Sequence, residues 1–160
     1  MSTDFRHTCF FTGHRVIPDK SRKEITQYVV SLCTKLITEN NVDTFIAGGA
    51  LGFDTLAATE ILKLKKIHPH IQLHLYIPCI DQIAKWKDRD IEIYNKIKEL
   101  SDDVKYISSM PYSSGCMQQR NRAMVNDAYY GIAYCTNTKS GTYNTVRYAR
   151  DKGRYIMIVE

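Results

Sequence analysis

Apolar and β-branched residues gather in six short runs, Thr8 to Thr12, Thr44 to Ala47, Leu73 to Ile77, Val104 to Ile107, Gly131 to Cys135 and Tyr155 to Val159. Runs of that length, bounded by polar turn residues, predict strands. Between them apolar residues recur every three or four positions, the period of a helix with one buried face. Residues 21–39 bring Ile25, Tyr28, Val29, Leu32 and Leu36 near one face, and Ser21 with Glu24 has the spacing of a capping box. Residues 54–66, 81–100, 116–129 and 142–152 predict four more helices. The 81–100 segment carries Ile83, Trp86, Ile91, Tyr94, Ile97 and Leu100, and the last helix stops at Gly153.

Strand alternating with helix implies parallel pairing, because parallel neighbours need a long crossover. The expected class is α/β: a Rossmann-like parallel sheet of about six strands with helices on both faces, in the default order 3-2-1-4-5-6. The runs TFIA and YIMIV are apolar without alternation, as in strands covered on both sides. No repeat or linker divides the chain, so residues 1–160 are expected to form a single domain.

Composition narrows this picture only modestly. An apolar fraction of 44% and a charged fraction of 24% exclude disordered and fibrous classes. The net charge of +5 favours anionic ligands without the density of a dedicated nucleic-acid binder. Cys9, Cys33, Cys79, Cys116 and Cys135 show no C-x-x-C spacing, so they predict buried thiols rather than disulfides or a metal site. No apolar stretch approaches about 18 residues and the start MSTDFRHT has no leader pattern, so a cytoplasmic protein without a membrane partner is expected.

In a parallel sheet all strand-to-helix turns leave at one edge, where ligands bind. The unusual sequence sits at that edge. Thr12-Gly13-His14-Arg15 leaves the first strand, IAGGALGFD (46–54) the second, SSMPYSSGCMQQRNR the fourth and TNTKSGT the fifth. Glycine-rich turns feeding helix N-termini present unpaired amides and partial positive charge to anions. Gly48, Gly49, Leu51 and Gly52, and Ser140, Gly141 and Thr142, are therefore candidate phosphate cradles, with glycines needed only for close packing as the competing reading. Asp54 is expected to cap the second helix or to touch ribose. Arg15 is placed to pair with phosphate or carboxylate, with a surface salt bridge as the competing reading. His14 is an acid–base candidate or a structural histidine. Arg120 shares a helix face with Met124, so Arg120 rather than Arg122 is expected in the cleft, with Asn121 beside it. Trp86 is either core or a platform for a base.

FTGHR, AGGALGFDTLAA, YSSGCMQQRNRAMV and SGTYNTVRYA, in that order, resemble the YpsA-like branch of the SLOG superfamily, the Rossmann-like group that includes DprA and the LOG enzymes. The resemblance spans essentially the whole chain. It implies a nucleotide or nucleotide-derived ligand, such as an ADP-ribose or NAD-related molecule, at the carboxyl edge. No dedicated cofactor and no metal are expected, and LOG-type relatives suggest a homodimer, although no self-complementary patch is visible. Two alternatives follow from particular relatives. LOG enzymes cleave the N-glycosidic bond of nucleoside monophosphates; MQQRN is similar to one of their motifs and places Arg120 on its arginine. Their catalytic glutamate falls on Thr145, whose hydroxyl cannot serve as a carboxylate base, so hydrolysis would need Asp54 or Glu60. DprA binds single-stranded DNA, and GGALGFD is similar to its G-L-A-R-G-I-D stretch with the arginine replaced by Leu51. Ligand sensing is the first expectation, with Thr12, Arg15 and Arg120 as polar contacts. Nucleotide hydrolysis and nucleic-acid binding come second.

Overall fold

The computed structural model describes residues 4–160, so the first three residues of the MSTDFRHT start lie outside it. A 3-10 turn (Phe5–His7) leads into β1 (Thr8–Gly13), followed by α1 (Asp19–Glu39), β2 (Thr44–Ala47), α2 (Phe53–Ile67), β3 (Gln72–Ile77), α3 (Asp88–Leu100), β4 (Asp103–Tyr106), α4 (Cys116–Asn126), β5 (Tyr130–Tyr134), α5 (Gly141–Asp151) and β6 (Tyr155–Val159). All six strands join one parallel sheet. β1 is central and its residues 8–12 are buried, with Phe11 stacked on Phe45 of β2 at 5.9 Å. Each such ring contributes roughly 1.5–3 kcal/mol of burial.

The strand order is 4-3-2-1-5-6, not the default 3-2-1-4-5-6. α1, α2 and α3 supply the main core on one face, through residues such as Val29, Ile61 and Ile97. α4 and α5 supply a smaller core on the other, through Met124, Val125 and Ala149 against Phe10 and Ile46. α3 therefore repeats the crossover of α1 and α2 and carries the chain one strand further out. The reversal is delayed until α4 returns from β4 to β5 beside β1. β4 is consequently an edge strand, which explains its polar run DVKY. β6 is the other edge, and of its apolar run only Val159 is buried.

Two helix starts differ from the sequence reading. α1 begins at Asp19 after Pro18, whose φ of −57° is already helical, and no side chain caps it. Ser21 lies inside the first turn, so the expected capping box is not formed, and Tyr28 is half exposed. α3 begins at Asp88 rather than at residue 81. The segment before it is tied to the loop after β4: Ile80 N–H donates to the Met110 carbonyl at 3.2 Å, and Tyr112 N–H donates to Asp81 at 2.7 Å. These long-range bonds replace the helical ladder that the spacing of Ile83 and Trp86 suggests.

Candidate functional site

β1 and β5 are neighbours in space that lead away in opposite directions, and the crevice above such a reversal is where open α/β sheets hold ligands. A cavity of about 260 Å³ opens there. One wall is the β1 turn, from Thr12 to Arg15. A second is α4, through Met117, Arg120, Asn121 and Met124, and a third is the N-terminus of α5, Ser140 to Thr142. Ala50 and Asp54 close the floor. The turns after β1 and β5 are locked together by His14, whose ring Nε2 accepts from Thr136 N–H at 2.9 Å while its backbone N–H donates to the Tyr134 carbonyl at 3.3 Å. His14 thus needs a neutral ring, and partial burial lowers its pKa accordingly. The ring thus bridges the two turns at the cavity wall.

The glycines of GGALG are packed against neighbouring groups of the chain. A Cβ on Gly48 would collide with the Arg120 guanidinium and come within 2.8 Å of Asp54 Oδ2. Gly52, at φ +81°, lies against the backbone carbonyls of Arg15 and His14, with the latter 2.6 Å from a Cβ built there. Gly49 faces Ile77 and Tyr94, and neither Gly48, Gly49, Leu51 nor Gly52 lines the cavity. Close approach is what glycine permits at these positions. The anion this turn holds is internal: Ala50 N–H donates to Asp54 Oδ2 at 3.3 Å.

Asp54 lies in the first turn of α2, beyond the N-cap position held by Gly52, so it is not the helix cap. It is only 5% exposed, and its Oδ1 is buried without a hydrogen-bond partner. Burial raises its pKa to about 6, against the opposing pull of Arg120, the Ala50 amide and Arg15. Arg120 is equally buried and its pKa is lowered, chiefly by desolvation. Among the described residues neither belongs to an ion pair. Arg120 is spent as a brace: Nη1 donates to the carbonyls of Gly48 and Tyr76, and Nε to Asn121 Oδ1 at 2.8 Å. Only Nη2, with a 4.0 Å contact to Met117 Sδ, is left over.

The N-terminus of α5 has free capacity. Ser140 Oγ accepts from Tyr143 N–H at 3.1 Å as the helix cap. Gly141 and Thr142 line the cavity, their amides are first-turn donors without helical partners, and Thr142 is buried. Arg15 is exposed at the rim and also borders a neighbouring hollow of about 510 Å³ that contains Trp86 and Tyr112. Trp86 packs edge-on against Tyr94 at 5.5 Å and lies outside the central cavity. Another hollow, of about 250 Å³, lies beyond Asn121 and Gly141; there Arg122 sits over the Tyr148 ring at 5.3 Å. Met117 borders all three spaces, and Ala50, Met117 and Met124 are lining residues that the sequence reading did not assign. The period that pairs Arg120 with Met124 extends back to Met117 and was the available signal.

The acids expected for hydrolysis separate clearly. Among the described residues Asp54 is the one carboxylate lining the central cavity. Glu60 sits further along α2, paired with Lys63 at 3.2 Å, and does not reach it. Thr145 donates to the Gly141 carbonyl at 3.0 Å. Among the described residues no group of three or more His, Cys, Asp or Glu is placed to hold a metal ion, and no helix is long and apolar enough to cross a membrane.

A family profile described as the YspA SLOG family matches residues 13–155, which includes all of these turns. The chain belongs to that family. This YspA SLOG member is 29% identical over 133 residues to the SPbeta prophage-derived protein YoqJ of Bacillus subtilis (strain 168), across 76% of this chain and 78% of that one. It is 34% identical over 91 residues to a UPF0398 protein of Halalkalibacterium halodurans, across 57% of this chain and 46% of the relative. The match thus spans about half the length of the UPF0398 relatives. Among solved structures, DNA processing protein A from Helicobacter pylori, described for its single-stranded DNA binding mode, is similar with a TM-score of 0.70 at 18% identity, over 98% of this chain and 66% of that one. Its counterpart from Streptococcus pneumoniae has a TM-score of 0.70 at 16% identity, over 96% and 50%. At such identities the likeness shows the Rossmann-like fold.

Proposed function

We propose that this YspA SLOG protein binds a phosphate-bearing ribonucleotide derivative of the ADP-ribose or NAD type in the crevice above β1 and β5. The observation that carries the reading is the company Asp54 keeps: a buried carboxyl whose Oδ1 has no hydrogen-bond partner lines the same cavity as Arg15 and the first residues of α5. An unpaired buried acceptor costs about 1–3 kcal/mol, and a ligand donor that reaches Oδ1 by a small rotation of the carboxyl recovers it. Ribose hydroxyls supply such donors, and the phosphate then faces Arg15 and the α5 terminus. The central space of about 260 Å³ lies near the lower limit of small-molecule pockets, about 300–1,000 Å³, so a ligand larger than a ribose phosphate must extend into the flanking hollows.

Titration calorimetry with ADP-ribose, NAD, AMP and an oligodeoxythymidylate tests the proposal. Ribonucleotides should bind, and Asp54→Ala should weaken them more than the deoxy oligomer, which offers no 2′-hydroxyl. Silence across the panel at millimolar ligand overturns it. Binding of the oligomer alone, steeply weakened by salt, would move the protein to the nucleic-acid reading.

Hydrolysis of a nucleoside monophosphate is a second reading, favoured by the same Asp54. A carboxyl with a pKa of about 6 beside a cavity is suited to proton transfer near neutral pH. Release of free base that disappears in Asp54→Asn would establish it.

A further inference from the structure

A groove of about 670 Å³ runs between α2 and α3, on the face of the sheet opposite α4 and α5. Its walls follow helical spacing. Ile93, Ile97 and Leu100 form an i, i+4, i+7 stripe on α3, and Leu62 faces them from α2. Ile97 is buried at the base, while Ile93 is 38% and Leu100 50% exposed. Neither helix has a free backbone edge, so an extended peptide gains no main-chain bonds here. A third helix can lay an apolar stripe into the groove.

The rim decides which helix. Lys63, Lys65, Lys66 and Lys96 border the groove against a single acid, Glu92. Lys63 pairs with Glu60 and Lys65 with Asp102, but among the described residues Lys66 and Lys96 form no ion pair. A second copy of this face would oppose its lysines with the same lysines, and like-charge juxtaposition disfavours that association. We propose that the α2–α3 groove docks an amphipathic helix of a partner protein that is apolar on one stripe and acidic on its flanks. Leu62, Ile93 and Leu100 receive the apolar anchors, and Lys66 and Lys96 meet the acidic flanks. This proposal is independent of the crevice above β1 and β5.

The probe is a synthetic helix of about four turns with leucine at i, i+4, i+7 and i+11 and glutamate on its flanks, added to the isotopically labelled full chain. Saturable shifts at the methyl groups of Leu62, Ile93, Ile97 and Leu100 are expected. Lys66→Glu/Lys96→Glu should weaken binding about tenfold or more, and a lysine-flanked peptide of the same pattern should not bind. Both substitutions are at exposed positions, and circular dichroism of the variant verifies its fold. Equal binding of both peptides, or no shifts at these methyls, overturns the proposal. So does dimerisation through this face without peptide, or charge-dependent capture of the chain by phosphatidylserine vesicles instead of the acidic helix.

Discussion

A carboxyl buried without an ion-pair partner favours conditions in which it keeps its proton, and Asp54 makes this measurable. Its folded pKa of about 6 lies above its ordinary 3.8, so the native chain holds an extra proton between those values. Stability from this residue is greatest below that window, falls as pH climbs through it and is level above. The whole shift corresponds to about 3 kcal/mol at about 1.36 kcal/mol per pKa unit. In urea unfolding at pH 4 to 7.5, the wild type should lose stability relative to Asp54→Asn as pH rises; a constant difference would contradict the burial argument. His14, with its pKa lowered from 6.5, pulls the other way in both proteins and cancels in the comparison. Ligand linkage has the opposite sign, because the ionised Asp54 is the better acceptor for ribose hydroxyls. Affinity for ADP-ribose should therefore fall as pH drops below about 6. The turn glycines give a second test. Gly52→Ala meets backbone carbonyls and a positive φ, whereas Gly48→Ala meets a side chain and an unstrained backbone. Both should destabilise by about 1–3 kcal/mol or more, Gly52→Ala the more severely, by denaturant midpoint.

Two serines at helix starts separate pattern from geometry. Ser140 caps α5 through Oγ, whereas Ser21, which completes a capping-box pattern with Glu24, is inside α1 because Pro18 starts the helix earlier. Ser140→Ala should cost about 1 kcal/mol, and Ser21→Ala should be neutral or slightly stabilising, as helix propensity favours alanine. Ser140→Ala should also weaken nucleotide binding, since fraying α5 disperses the amides of Gly141 and Thr142. Thermal unfolding and calorimetry on the two variants read both effects. α3 makes a related point. Its periodicity extends back to Ile83, yet the helix waits until Asp88 because bonds to the loop after β4 capture residues 80–81.

Across the whole molecule, stability should grade outward from β1. β1 is covered on both faces, and β4 is a polar edge strand following a helix that buries only Tyr94 and Ile97. Amides of α3 and β4 should exchange with solvent well before those of β1 and β2, as the least buried cooperative unit. Uniform protection in hydrogen-exchange measurements would refute that gradient. Six strand positions, five helices and the parallel α/β class were legible in the sequence, because short unbroken apolar runs mark strands covered on both faces and a period of 3.6 marks helices with one buried face. The carboxyl-edge location of Thr12, Arg15, Arg120 and Thr142 followed from that alternation, since parallel strands send their outgoing turns to one side. The strand order was not legible, because an apolar helix stripe has the same pattern whichever face of the sheet it covers. Nor was the division of labour within the site. Glycine spacing is alike for a phosphate cradle and for close packing, and only the fold brings Arg120 against Gly48, leaves Asp54 Oδ1 unpaired and gathers Asp54 and the start of α5 around one cavity. Local periodicity determines the elements; the distances between residues far apart in the chain, set by packing, decide which polar groups satisfy one another and which are left unpaired.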